Sequence, residues 1–156
     1  ARDLVLRRCS LDEMVRQTVR KYAKLFILKK IRLTFQETGR TVLSDEKWFI
    51  FLLEQLLSNA LKYTPAGGQI TIGLEGEDTL LLMDTGIGIA PEDLPRVFDK
   101  GFTGQNGRVD RKATGLGLYL CRRTADLLGH SLTIDSRLGV GTQVRIGLGR
   151  PKFDIE

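Results

Sequence analysis

Near the start of the chain the apolar residues recur with a helical period. Leu11, Met14, Val15, Val19, Tyr22, Ala23 and Phe26 share one face of a helix expected over Ser10 to about Leu28. Ser10 is a candidate N-cap, and Glu13, three residues on, completes a capping-box pattern. Ile31, Leu33 and Phe35 alternate with polar residues, as in a half-buried strand. Thr41 to Leu43 reads as its short partner strand, with the turn at Gly39. Asp45 to Lys62 is a second helix, capped by Ser44 or Asp45 and stopped by Pro65-Ala66-Gly67-Gly68. Gln69–Glu75 and Thr79–Asp84 are strands around a Gly76-Glu77-Asp78 turn. Leu116 to Leu128 is a third helix ended by Gly129, and Ser131–Ser136 and Thr142–Leu148 are the last strands.

Between Gly86 and Thr114 the periodicity stops, apart from one short helix expected after Pro91. A glycine-rich loop this long inside a compact domain is uncommon and usually functional. The order of elements is not a regular βαβ alternation. It predicts a single-domain α/β sandwich over residues 1–156, with one layer of about three helices on a mixed, largely antiparallel sheet.

Composition narrows the class without choosing a function. The 156 residues are 42% hydrophobic and 28% charged, as in an ordinary globular domain. The longest apolar runs, Trp48 to Leu53 and Leu80 to Met83, are too short to cross a bilayer, and there is no secretory signal pattern. Cys9 and Cys121 suggest two free thiols rather than a disulfide or zinc framework. The net charge of +5 is spread along the chain, with small clusters at Arg20 to Lys30 and Arg108 to Lys112. No aromatic-basic interleaving marks a single-strand nucleic-acid platform, so no nucleic-acid partner is expected.

Four stretches carry candidate chemistry. Gln55, Asn59 and Lys62 fall on one face of the second helix, followed by Tyr63. They form either a solvated stripe or a polar row pointing into a pocket. An asparagine oxygen suits a hard cation such as magnesium, and a lysine suits a phosphate. Asp84-Thr85-Gly86-Ile87-Gly88-Ile89 follows an apolar strand. It is either a simple turn or a carboxylate able to accept from a ligand amine beside glycines that admit a flat ring. Thr114-Gly115-Leu116-Gly117-Leu118 opens a helix, where free backbone N–H groups and the dipole favour an anion. Gly139-Val140-Gly141-Thr142 is a tight turn that alone indicates little. Neither G-x-x-x-x-G-K-[ST] nor G-x-G-x-x-G is present, and no H-R-D or D-F-G appears.

In this order and spacing, these stretches resemble the N, G1, G2 and G3 boxes of the Bergerat-fold ATPases. That superfamily holds gyrase, the ninety-kilodalton heat-shock chaperones, mismatch-repair ATPases and histidine kinases. The resemblance covers roughly residues 40 to 148. Val97-Phe98-Asp99-Lys100-Gly101-Phe102 looks like the F box of histidine kinases, and Asn59-Ala-Leu-Lys-Tyr-Thr64 is similar to their N box. The stretch from Phe98 to Tyr119 also resembles a subgroup that works with antibiotic-sensing transporters in Gram-positive bacteria. Gln55 stands where ATP-hydrolysing branches carry a glutamate; it cannot act as a strong general base, which points away from a gyrase-like hydrolase.

The resemblance implies Mg-ATP as cofactor, with Asn59 on Mg²⁺, Lys62 on the phosphates, Gln55 as an orienting group and Tyr63 lining the nucleotide. It implies that Asp84 accepts from the adenine amine, that Gly86, Gly88 and Ile89 shape the base site, and that Thr142 supports it. Thr114, Gly115, Leu116, Gly117 and Leu118 would cradle phosphates. Residues 89 to 114 would form a mobile lid anchored by Phe98 and Phe102, with Lys100, Arg108, Arg111 and Lys112 as candidate cations. The sole histidine, His130, lacks the His-Glu-x-Arg setting of an acceptor and is expected to be structural. The implied activity is phosphorylation of a histidine on a separate dimerisation helix, and a response regulator would receive the phosphoryl group. The implied setting is the cytoplasmic part of a membrane-anchored bacterial sensor kinase, with no membrane contact by this fragment. A serine kinase of the anti-sigma type and a degenerate binding module are the alternatives; the F box disfavours the first and the intact boxes the second.

Overall fold

The computed structural model describes residues 3–102 and 117–149. A short strand, β1 (Leu6–Ser10), leads into helix α1 (Leu11–Lys29). Ser10 caps the helix by accepting from the Glu13 N–H at 3.2 Å. The reciprocal half of the expected capping box is replaced: the Glu13 carboxylate accepts from Arg16 at 2.7 Å. Then come β2 (Arg32–Phe35), β3 (Thr41–Asp45) and helix α2 (Glu46–Tyr63). Asp45 caps α2 through the Trp48 N–H and also accepts from the Val5 N–H at 2.8 Å. One carboxylate thus fixes both a helix start and the entry to β1. Strands β4 (Gln69–Glu75) and β5 (Thr79–Asp84) follow, then helix α3 (Gly117–Leu128), β6 (Leu132–Arg137) and β7 (Gly141–Gly147).

The main sheet has five strands in the order β2-β4-β5-β7-β6, with β2 parallel to β4 and the other neighbours antiparallel. Ile70, Ile72, Leu80, Leu82, Val144 and Ile146 point to one face and are buried in one cluster with Met14 and Val15 of α1, Leu53 and Leu57 of α2, and Cys121 and Ala125 of α3. On the other face Arg145 bonds both Glu75 and Asp135. This alternation is what a sheet covered by helices on one side requires. The expected sandwich of a mixed, largely antiparallel sheet and one helical layer is therefore what forms.

Two local expectations are corrected. Thr41–Asp45 does not pair with Arg32–Phe35. It pairs with β1 in a separate two-stranded antiparallel sheet, and β2 lies parallel to β4. Asp12 redirects the chain: its carboxylate accepts from the Thr38 and Gly39 N–H groups and from the Thr38 hydroxyl, so the segment after β2 is pinned to the start of α1. The stretch after Pro91 forms only a 3₁₀ turn, Leu94–Arg96, because Pro95 supplies no N–H for a longer helix.

Candidate functional site

Helix α2 buries Leu52, Leu53, Leu56, Leu57, Ala60 and Leu61 against the sheet. Gln55 and Asn59, half-buried, and Lys62, exposed, lie beside that apolar stripe, as their spacing of four and three requires. The Lys62 ammonium sits 5.5 Å from the Tyr63 ring centroid. The last turn of the helix is tied to the loop after β5, where the Ile87 N–H donates to the Tyr63 carbonyl at 3.1 Å. The Gly139 N–H then donates to the Ile87 carbonyl at 2.8 Å. The end of α2, the loop after β5 and the turn before β7 are therefore clasped together.

Asp84 ends β5 opposite Thr142 of β7. Its Oδ1 accepts from the Gly86 N–H at 2.8 Å. Burial pushes its carboxyl above the ordinary carboxylate range, against the lowering effect of backbone N–H groups from Gly86 and Thr142. An acid kept in this position despite that desolvation is a functional candidate. Thr142 is held in turn: its hydroxyl lies 2.8 Å from Ser136 Oγ, which also accepts from the Ile89 N–H at 2.8 Å and donates to the Gly141 carbonyl.

The glycines here are required by space. Gly88 has φ of 76°, and a Cβ on it would come within 2.2 Å of the Arg137 carbonyl oxygen. At Gly141 a Cβ would come within 2.1 Å of the Asp84 carbonyl oxygen. Backbones approach too closely at both for any side chain.

The expected lid is tethered over its described part. Ala90 and Val97 are buried, and Phe98 packs against the core with the Arg122 guanidinium 3.9 Å from its ring centroid. Phe102 is half-buried beside Arg96, 4.8 Å from its ring, and Lys100 lies 5.8 Å from the Tyr119 ring. Thr114, Gly115 and Leu116, with Arg108, Arg111 and Lys112, lie outside the described residues. Gly117 and Leu118 open α3; a Cβ on Gly117 would meet open space, and Leu118 packs on the core.

His130 is buried, with Nδ1 3.0 Å from the Gly147 carbonyl and Nε2 2.9 Å from Ser44 Oγ. Burial holds it below the usual histidine range. Both ring nitrogens are engaged, as a structural histidine requires. Burial also pushes the Cys121 thiol up to about 12, which leaves it inert.

Among the described residues no group of three or more His, Cys, Asp or Glu lies together. A hard cation held at Asn59 would need oxygens from a bound anionic ligand as well. A groove of about 1150 Å³ lined by Val5, Trp48, Leu120 and Leu127 lies at the far end of α2 from Tyr63. It has no part in the Asp84 cluster. Sequence reasoning missed three supporting residues: Ser136, which joins two loops; Arg122, which carries Phe98; and Thr64, which is fully buried at the end of α2. Only Thr64 lay inside a quoted motif, and nothing in its spacing assigned it a role.

The sequence profile described as "Histidine kinase-, DNA gyrase B-, and HSP90-like ATPase" matches residues 44–152. Sensor protein BceS of Halalkalibacterium halodurans is 39% identical over 142 residues, covering 90% of this chain and 42% of BceS. Sensor protein kinase GraS of Staphylococcus aureus is 42% identical over 108 residues, covering 67% of this chain and 31% of GraS. The chain thus spans less than half the length of these curated relatives. In fold it matches the catalytic domain of histidine kinase ThkA with a TM-score of 0.78 at 23% identity, over 93% of this chain and 97% of that one. The chain belongs to the histidine kinase-, DNA gyrase B- and HSP90-like ATPase family, and the relatives that it resembles in sequence are sensor histidine kinases.

Proposed function

We propose that this chain is the ATP-binding catalytic domain of a two-component sensor histidine kinase. It binds Mg-ATP and passes the γ-phosphoryl group to a histidine on a separate dimerisation domain. The observation that carries this reading is the half-buried, desolvated Asp84 carboxylate, set where three family motifs are clasped together. In this role Asp84 accepts from the adenine amine while Gly88 and Ile89 shape the base site and Thr142 supports it. Tyr63 lines the nucleotide. Lys62 neutralises phosphate charge, and Gln55 orients a water or a metal-bound group. Gly115 and Gly117, with Thr114, Leu116 and Leu118, cradle the phosphates at the start of α3. Lys100 and Phe102 belong to the lid that covers them. Mg²⁺, when bound with the nucleotide, supplies charge neutralisation on the phosphates, and the Asn59 carboxamide oxygen is the donor of this chain that fits it.

His130 is unsuited to be the acceptor, because both of its nitrogens are engaged inside the core. The acceptor is therefore the histidine-bearing helix of the same kinase, and a response regulator aspartate receives the phosphoryl group. No helix among the described residues is long and apolar enough to cross a membrane. A membrane anchor would belong to the parent sensor, with this domain on its cytoplasmic side.

The test uses labelled ATP. The chain alone should bind ATP and remain unlabelled, and a histidine-bearing dimerisation hairpin added in trans should become labelled. Asn59→Ala should slow that transfer at least about a hundredfold while weakening ATP binding far less, because the base contacts survive and the phosphates are misplaced. Acid-labile phosphate on this chain alone, lost in His130→Gln, would overturn the division of labour.

A further inference from the structure

The positive charge of the chain is concentrated in one place. Between Gln17 and Gln36 there are six Lys and Arg residues and no Asp or Glu, while the rest of the sequence holds 18 cations against 19 carboxylates. The net positive charge therefore belongs to the C-terminal half of α1 and the start of β2. Arg20, Lys24, Lys30 and Arg32 are exposed and form no ion pair among the described residues, whereas Lys21 is held by Glu54 at 3.3 Å.

The same stretch carries the most exposed large apolar side chains of the described residues. Ile27 is 76% exposed, Leu28 75% and Leu25 44%. An isolated exposed leucine is ordinary. Here the apolar residues are set among the cations. Arg20, Lys24, Ile27 and Leu28 are spaced by three and four, so they share the face of α1 turned away from the buried Phe26. A merely solvated face would carry polar residues at 27 and 28. Structural roles account for part of the charge. Lys29 donates to the Leu61 carbonyl at the end of α2, and cations in the last turn suit the helix dipole. Neither role reaches Arg20 and Lys24, which precede the last turn, or Arg32 in β2, and neither explains the bare Ile27 and Leu28.

We propose that this basic and apolar end of α1 docks on an anionic lipid surface. Ile27 and Leu28 enter the boundary between headgroups and acyl chains, while Arg20, Lys24, Lys30 and Arg32 lie against lipid phosphates. The composition favours lipid over a protein partner. Protein interfaces are depleted in lysine and centred on aromatic residues, and this face presents cations and aliphatic side chains without an exposed aromatic one. No membrane contact is expected from the sequence alone; the exposure of Ile27 and Leu28 emerges only in the fold. In a parent sensor anchored as proposed above, the tether raises the local lipid concentration, so a weak contact suffices to hold the domain at the bilayer. The contact uses no residue of the nucleotide site and stands or falls apart from that reading.

Flotation of the chain with vesicles of equal parts phosphatidylglycerol and phosphatidylcholine tests the contact, with pure phosphatidylcholine vesicles as control. The chain should bind the mixed vesicles at low salt, leave them at high salt and ignore the neutral ones. Ile27→Ser with Leu28→Ser should lower the vesicle affinity about tenfold, and Arg20→Gln with Lys24→Gln by about the same factor. Arg7→Gln with Lys47→Gln, which removes equal charge from exposed positions elsewhere, should bind as wild type. All of these side chains are exposed, so each variant should keep the wild-type thermal midpoint. Should the serine pair not fold, Leu28→Ser alone serves in its place. A wild-type chain that does not bind the mixed vesicles overturns the proposal, as does a serine variant that binds as wild type. Equal losses from the two charge pairs would reveal unspecific adsorption of a basic chain and overturn it too. Polyglutamate bound through the same residues more tightly than the vesicles would replace the lipid by an acidic protein partner.

Discussion

His130 and Asp84 are both desolvated titratable groups, yet their surroundings are opposite in kind. At His130 the polar cluster is closed. Gly147 and Ser44 take both ring nitrogens, and Phe49 meets the ring edge-on with centroids 5.3 Å apart. At Asp84 the cluster is open. The carboxylate is bonded by neighbouring backbone N–H groups, but the adjoining Thr64 hydroxyl has no partner, and the walls are glycines that admit close approach. A closed polar cluster joins elements of the fold. An open one, under the proposed function, is completed by a bound nucleotide. Burial and hydrogen bonding thus separate a structural residue from one proposed to bind.

The sharpest break of this comparison is Asp84→Asn. An amide can present a donor to the adenine amine and leave a buried pair unmatched, so ATP affinity should fall by about a hundredfold or more. Calorimetry checks it, and an unchanged affinity would remove Asp84 from the site. Removing a buried charge should at the same time raise the thermal midpoint of the nucleotide-free domain.

His130→Ala should show the reverse. It leaves Ser44 and the Gly147 carbonyl without partners and opens a cavity beside Phe49, a loss of about 3 kcal/mol in chemical denaturation. ATP affinity should change by no more than about twofold where the variant is folded. A variant that keeps its stability and loses ATP would place His130 in the open class.

The two groups also differ in the sign of their pH dependence. His130 has its folded pKa depressed below the ordinary value of about 6.5. Its contribution to stability is full above that value and is lost as the pH falls through the folded pKa. Asp84 has its folded pKa raised. Its contribution is full below the ordinary carboxylate range and is lost as the pH rises through the folded value. Between pH 7 and pH 5 the His130 contribution should lower the thermal midpoint while that of Asp84 works against it, and His130→Gln, which cannot titrate, should remove the lowering part. An unchanged pH dependence in the glutamine variant would assign the lowering to other groups.

The smallest effect is expected at Arg122, whose unpartnered Nε would class it wrongly as open. Its guanidinium lies on Phe98, so Arg122→Gln should cost about 1 kcal/mol and leave the preference for ATP over an amine-free purine nucleotide intact. A changed preference would show that an unpartnered atom suffices to mark a binding site.

Much of the fold was readable from pattern. The bounds of α2, β4 and β5 follow directly from the period of their apolar residues and from the stops at Pro65 and Gly76, because local spacing and turn chemistry are written in the chain itself. The partner of β3 was not readable. Thr41–Asp45 alternates in a way that suits either β1 or β2, and β1 itself exposes four of its five residues, so it has no apolar pattern to find. In the site, Asn59, Lys62 and Asp84 stood out as polar types in apolar elements beside glycines. The roles of Ser136 and Thr64 did not, since serine and threonine at turns are ordinary.

By itself the sequence determined the helix and strand periods, the type of sandwich and the family motifs, all of which rest on contacts a few residues apart or on residue identity. Only the tertiary structure decided that β2 runs parallel to β4, that Tyr63, Ile87 and Gly139 form one clasp, and that Thr64 faces Asp84 across Gly86. These are contacts between segments far apart in the chain. Many pairings satisfy the same apolar pattern, and the choice among them is made by the packing of the whole core.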